Sequence, residues 1–562
     1  MLIEQQVTDG RSVSDLPKRV NILVSAAEFL WTLDPTTSRA YYQDAFATAG
    51  RHFSDKGFEE TPLGKYKRIF AGQDDMRMVV IRSVATRDRL LAKKMIAELL
   101  AGYEKEFKDR STDEDREPAD LIGLAGSLAK TDPVLCKYLF ERVMAYPLIQ
   151  NWFFSLPQVA KSDQALGDSI YAEALRAFRN EAPSHLRYLS AYPFGSERML
   201  SSDPFDSTTF VPSGFVPNEG LQIAFLNTFF DRVAVFTSDP EQLAKLSPDD
   251  MSEEVQAMSS ALDGAEPVVI QKFPQMLPRF SLARSQAGSM LTTAIKAKME
   301  GRSARSKDVW GSSFDERIKA LEQAEEKGHL TDEMIIRASI GPSSPSSEEE
   351  FKRLQPWLDK IKESEARSEA MNYFWFQRSD LAIKEERFSD AEKAAAKVPE
   401  LDHRSILLFK IAEKELSDAN QSNSAFDILN TVSKTAHSGP DSLAKAQVLL
   451  GLALFYERVS HTVALDELGE SVKTLNRLED PNIFENWVYR KIELKDFSFV
   501  ASISLPGVGF QGTFNTLGQH DFELALANAK ALDDKYLRTL ATIAIAKNCV
   551  QPPKLPSPKT TH

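Results

Sequence analysis

Leu30 to Phe46 reads LWTLDPTTSRAYYQDAF, and the fold turns on the Asp-Pro pair in its middle. Upstream, Leu16, Val20, Leu23, Val24, Ala27, Leu30 and Trp31 recur at helical intervals, which makes one apolar stripe with a period of 3.6. A helix is therefore predicted from about Pro17 to Thr32. Asp34 follows it and is placed to accept the orphan backbone N–H groups of a second helix. Pro35 then fills the first turn of that helix, where a missing N–H costs nothing. The phrase describes a helix end, a tight turn and a new helix.

The same phrase returns at Val84 to Leu100 (VATRDRLLAKKMIAELL), Leu128 to Met144 (LAKTDPVLCKYLFERVM) and Val159 to Leu175 (VAKSDQALGDSIYAEAL). Each copy opens with an aliphatic residue and a second apolar one, and carries Asp at its fifth position. Repetition of one supersecondary unit marks stacked helical hairpins, whose apolar faces only a neighbour can bury. The Asp-Pro pair recurs at Asp132-Pro133 and Asp480-Pro481, and Asp88, Asp163 and Asp402 are expected to cap without the proline. A row of carboxylates could suggest acid–base chemistry. Their place between one apolar stripe and the next makes them caps instead. The doublets Asp74-Asp75, Asp249-Asp250 and Asp533-Asp534 read as helix starts for the same reason, with Ser247 capping the second.

A second echo links Ala394 to Lys414 (AAAKVPELDHRSILLFKIAEK) with Ala527 to Lys547 (ANAKALDDKYLRTLATIAIAK). Both describe a short alanine-rich helix, a capped turn and a longer apolar helix. The segment Lys384 to Leu416, with ERFSDAEKAAAKV leading into its second helix, resembles a divergent tetratricopeptide-type hairpin. It departs from that family in lacking the regular period and the Trp, Gly and Tyr landmarks. The resemblance implies a protein-binding helical scaffold and supplies no functional residues.

Composition narrows the partners. The 562 residues carry 68 basic and 81 acidic side chains, for a formal net charge of -13, whereas a nucleic acid or an anionic membrane calls for a basic footprint. The two cysteines, Cys136 and Cys549, have no disulfide or zinc spacing. The N-terminal MLIEQQVTDGRSVSDLPKR has no continuous apolar core of a signal peptide. No stretch approaches the roughly 18 apolar residues of a membrane span. A cytoplasmic location is the default expectation, with export if the true N-terminus is missing.

The expected fold is all-α, with irregular helical-hairpin repeats stacked as an α-solenoid and one or two extended aromatic or Gly/Pro-rich insertions. Residues 1–190 are N-terminal hairpins, 191–220 a Phe/Pro-rich strap and 221–340 a middle helical segment. Residues 341–550 are tetratricopeptide-like repeats with an extended insertion at 497–517, and 551–562 a disordered tail. GPSSPSS at Gly341 to Ser347 marks the main boundary, with Ser346 or Ser347 capping the helix that follows. The strap sets Phe194, Phe205, Phe210 and Phe215 among prolines, so its rings either plug gaps between helices or wall a ligand groove. Phe497 to Leu505 alternates like a strand. It leads into Gly507, Gly509 and Gly512, a G-x-G-x-x-G spacing. With the next helix expected near Asp521 and no second parallel strand, this reads as a glycine-rich turn, and no cofactor is expected.

The eight histidines show no H-E-x-x-H and no His pair four apart, and the chain has no G-x-S-x-G elbow or P-loop. No catalytic residue or metal ligand is therefore named. Two aromatic runs, Trp152-Phe153-Phe154 and Tyr373-Phe374-Trp375-Phe376, fit inner helices buried on several sides. The basic stretch Lys296 to Lys307 reads as a solvated loop between helices. The leading functional expectation is a non-enzymatic scaffold that binds a protein or peptide, with Phe205, Phe210, Phe215, Tyr373 and Trp375 as candidate partner-binding residues. The alternative is an enzyme of helical-toroid type, its acid and base drawn from separate hairpins; a structural role in an assembly is the third.

Overall fold

In a computed structural model the described residues are 2–56, 75–107, 119–194, 214–291, 313–340, 344–417, 422–483, 487–494, 497–504 and 508–549. Phe205, Phe210, the stretch Lys296 to Lys307 and the tail 551–562 lie outside them. The chain forms two compact units, one made of Met1–His52 with Gly311–His562, the other of Phe53–Trp310.

The chain opens with α1 (Leu2–Arg11), α2 (Leu16–Leu30) and α3 (Pro35–Lys56). The second unit carries α4 (Met76–Ala85), α5 (Arg89–Phe107), α6 (Ala119–Leu128), α7 (Pro133–Val143), α8 (Asn151–Ser162) and α9 (Gln164–Ala177). After these come the short α10 (Pro183–Leu186) and α11 (Ala191–Phe194), then α12 (Glu219–Ser238), α13 (Pro240–Lys245), α14 (Pro248–Lys272) and α15 (Leu277–Ser289). The first unit resumes with α16 (Phe314–Glu326), α17 (Asp332–Ser339), α18 (Glu348–Leu358), α19 (Ser364–Lys384) and α20 (Phe388–Ala395). It continues through α21 (Leu401–Glu415), α22 (Ser422–Ser438), α23 (Leu443–Tyr456) and α24 (His461–Asn476). A hairpin of β1 (Trp487–Leu494) and β2 (Phe497–Ser504) precedes α25 (Phe510–His520), α26 (Phe522–Lys530) and α27 (Lys535–Ala546). The fold is all-α, and the antiparallel pair, in register Trp487 to Ser504 and Leu494 to Phe497, is the whole of the sheet among the described residues.

All four repeated phrases are a helix end, a turn and a new helix. Asp34 accepts from the N–H groups of Thr36 and Thr37, both at 3.1 Å. Asp88, Asp132 and Asp163 accept from Leu91, Leu135 and Leu166 at 3.1, 3.0 and 3.0 Å. Ser247, Ser347 and Asp534 cap α14, α18 and α27 in the same manner.

Three local expectations are corrected. Asp402 lies inside the first turn of α21, whose N-cap position is Glu400 without a side-chain cap bond; its carboxylate accepts from the adjacent His403 N–H. Asp480 starts no helix: its φ is 47° and it forms an ion pair with Lys18 of α2. A partner far away in sequence has replaced the local N–H groups that a cap would bind. The helix expected near Asp521 is present, with Asp521 as its cap, but the extended insertion expected to run to 517 gives way at Phe510, directly after Gly509, to a further helix. Phe510, Thr513, Phe514 and Leu517 supply its buried stripe. The strand pattern at Phe497 holds, and β1 is an additional strand that pairs with it. Because the pair is antiparallel, Gly509 and Gly512 do not stand in a parallel strand-helix-strand unit.

Within the second unit, α6 packs on α4, α7 and α8, and α7 packs on α9, so each hairpin lies against the next. Trp152, fully buried, sits between Phe140 and Phe178 with ring centres 5.0 and 5.3 Å away. Phe153 is also buried, whereas Phe154 is exposed. Polar contacts join successive hairpins at the surface, with Lys93 4.6 Å over Tyr138 and Lys137 2.9 Å from Glu173.

In the first unit α17, α19, α21, α23, α25 and α27 each touch the next of that series, while the intervening helices pack against both flanking members. Small residues set the spacing. A Cβ added at Gly451 of α23 would meet Phe409 Cε2 of α21 at 2.6 Å, and Ser471 Oγ of α24 donates to Ala446 O at 2.9 Å. The series ends where α27 meets α1 and α2, with Asn21 Nδ2 donating to Tyr536 Oη at 3.1 Å.

Asp132 has a second partner that makes it more than a cap. Arg89 Nε of α5 donates to its other oxygen at 2.5 Å, so one carboxylate starts α7 and ties it to the preceding hairpin. Burial pushes the carboxyl upward, but the Arg89 and Leu135 hydrogen bonds outweigh it and hold it below the ordinary 3.8. The folded value is thus below the unfolded one. Its stabilisation is complete above about pH 4 and is lost as pH falls through the depressed folded value. Asp132→Ala should lower unfolding free energy by about 1–2 kcal/mol at pH 7, measured by urea denaturation, and the difference from wild type should shrink in acid.

Candidate functional site

The aromatic run on α19 divides its side chains between two surroundings. Phe374, Trp375 and Phe376 are buried, with Phe374 edge-on to Phe351 of α18 at 5.2 Å. Trp375 is 8% exposed, and its ring is covered by Lys397 Nζ at 3.7 Å and by the Arg378 guanidinium at 5.1 Å. Arg378 is itself held by the Glu348 carboxylate. Two cations thus lid the tryptophan, an arrangement stronger where water is excluded. Tyr373 is half-buried and meets Phe499 of β2 edge-on at 5.4 Å, and the Arg337 guanidinium lies 4.5 Å over Phe497 of the same strand. Tyr373 and Trp375, two apart on α19, therefore lie in separate surroundings, Tyr373 against the aromatic face of β2 and Trp375 under two cations.

Phe215 belongs to the other unit. It is half-buried and lies edge-on to Tyr192 at 5.4 Å, and Tyr192 stacks on Tyr171 at 5.1 Å. The described end of the strap is fastened to α9 by hydrogen bonds. Gln164 Nε2 donates to Val216 O at 2.6 Å and its carbonyl accepts from Val216 N at 3.2 Å. Asp168 accepts from Tyr192 Oη at 2.9 Å and from Asn218 Nδ2 at 3.0 Å. Burial, followed by the charge and hydrogen bond of Asp168, pushes the Tyr192 phenol far up, so it remains a donor. Phe215 thus packs on Tyr192 at the fastened end of the strap.

Two carboxylate–histidine clusters occur at α22–α25, neither of them named from sequence. Glu467, buried on α24, accepts from Ser433 Oγ at 2.6 Å and faces His437 Nε2 at 3.0 Å. The serine and histidine both address the carboxylate, so the histidine does not lie between the other two as a nucleophilic triad requires.

The second cluster gathers three helix ends. Glu457 follows the last residue of α23, His461 is the first of α24 and His520 the last of α25. The Glu457 side chain is 5% exposed, and its oxygens lie 2.7 Å from His461 Nδ1 and 2.5 Å from His520 Nδ1. The two rings are 6.0 Å apart at 71°. One ligand atom from each residue lies within 4.8 Å of the others, so these three side chains could hold a metal ion. Part of the signal was in the sequence, as Glu457 and His461 are four apart. His520 was not, because the loop and hairpin that separate it from them leave no fixed spacing.

The strap anchor generates a direct test. A Cβ on Gly167 would overlap Tyr192 Oη, so Gly167→Ala should displace the phenol from Asp168. Overpacking of this kind costs about 1–3 kcal/mol, read by urea denaturation, and should speed proteolysis near Gly214. Among the described residues no helix is long and apolar enough to cross a membrane. No family model, no curated protein and no solved structure matches this chain, so its reading rests on its own residues.

Proposed function

We propose that the chain is a non-enzymatic helical-repeat scaffold, its hairpins stacked as an α-solenoid, that binds a protein or peptide partner. The observation that supports this most is the run of contacts from α17 through α19, α21, α23 and α25 to α27, each helix resting on the next of its series. Stacked hairpins grow by adding units, and they create extended binding surface without a closed pocket. The resemblance of Lys384 to Leu416 to a tetratricopeptide-type hairpin points the same way.

Tyr373, edge-on to Phe499 of β2, the strand whose Phe497 lies under the Arg337 guanidinium, is the anchor of this reading. Half-buried aromatic side chains that are already ordered lose little entropy on binding and dominate interface energies. Trp375, covered by Lys397 and Arg378, is a second and separate candidate contact. The acidic balance of the chain favours a protein over a nucleic acid.

Capture of the cross-linked full chain from its native host, in parallel with a Tyr373→Ala, Phe499→Ala double variant, tests the reading. Loss of two anchors should weaken recovery of the true partner by at least about tenfold, while the thermal melt keeps a single cooperative transition. Identical recovery by both forms contradicts it.

A further inference from the structure

We propose that Glu457, His461 and His520 form a binding site for a divalent transition-metal ion of the zinc class. Two imidazole nitrogens and one carboxylate oxygen are the donor types such ions take, whereas magnesium and calcium prefer oxygen alone. The three donors already converge, with the carboxylate 2.7 Å from one Nδ1 and 2.5 Å from the other. An ion bound at about 2.0–2.2 Å from each donor needs them somewhat further apart, which small side-chain rotations supply.

The electrostatics call for a cation. Glu457 is at the C-cap of α23, His461 opens α24 and His520 ends α25, so the carboxylate sits where two negative helix poles outnumber one positive pole. Among the described residues the basic side chains it meets are the two histidines, with no lysine or arginine. His461 Nε2 is buried and has no hydrogen-bond partner among the described residues. The ring is thus held by its Nδ1 side alone, the side that faces Glu457 and His520. An ion on this side neutralises Glu457 and links the α23–α24 turn to the end of α25. The His520 side chain is 59% exposed, so a fourth coordination position faces solvent.

Chelator-stripped full chain carrying Cys549→Ser, which removes the exposed thiol, is titrated with zinc by calorimetry and by thermal melting. The expected result is one ion per chain with micromolar or tighter affinity and a rise in melting temperature. Glu457→Gln should weaken binding by at least about tenfold, and a His461→Ala, His520→Ala pair should abolish it. Absence of saturable binding, or undiminished binding by the double-histidine variant, overturns the proposal. Should that variant not fold, Glu457→Gln decides: a zinc-induced rise in its melting temperature equal to that of the parent overturns the proposal, and a lost rise supports it.

Discussion

A helix that is apolar on every side can exist in water only if other helices surround it, and α23 is such a helix. Its sequence, LAKAQVLLGLALFY, has buried residues all round, and even Lys445 is 9% exposed. It packs on α21, α22, α24 and α25, two of them in its own hairpins and two in the flanking ones. Close approach is possible because small residues lie at the contacts: Gly451 under Phe409, and Ala446 beside Ser471. The stacked rings of Phe409 and Phe455, 5.0 Å apart, fill the remaining space. A hairpin that cannot hide its own apolar faces must be followed by another, and the end of the series must be covered too. In this chain α1 and α2 cover α27.

Local features of that arrangement were legible and long-range ones were not. An aspartate between two apolar stripes starts a helix because its carboxylate satisfies N–H groups within three residues, so Asp34, Asp88, Asp132 and Asp163 could be read one at a time. Asp480 looks the same in sequence, yet Lys18 claims it, and that partner is brought close by packing of α2 against α27. Gly509 to Gly512 looked like a turn because glycines lower helix propensity. The buried stripe of Phe510, Phe514 and Leu517 overrides that propensity through tertiary contact. Strand β2 showed its period of two, whereas β1 became visible only through its pairing with β2.

The same distinction applies to the sites. Aromatic runs are conspicuous in a sequence, but whether Trp375 faces water depends on Arg378, from the next turn of α19, and on Lys397, from beyond α20. The Glu457 cluster is assembled by the packing that defines the fold: α25 rests on α23, so His520 is carried to the turn where α23 ends. Helix ends bear concentrated partial charge and unsatisfied backbone groups. Polar chemistry therefore collects there while helix flanks are committed to burial. The proposed partner-binding patch and the proposed metal site lie in the same unit and draw on one series of helices.

The most direct measurement is the sign of the stability change on Gly451→Ala, by urea denaturation of the full chain. Were α23 free of α21 at this point, replacing a mid-helix glycine would stabilise the protein by up to about 1 kcal/mol. The close stacking described here predicts destabilisation instead, because the new methyl group meets the buried Phe409 ring, and it predicts relief when Phe409→Leu is combined with it. A stabilised Gly451→Ala protein, indifferent to the residue at 409, would contradict the account.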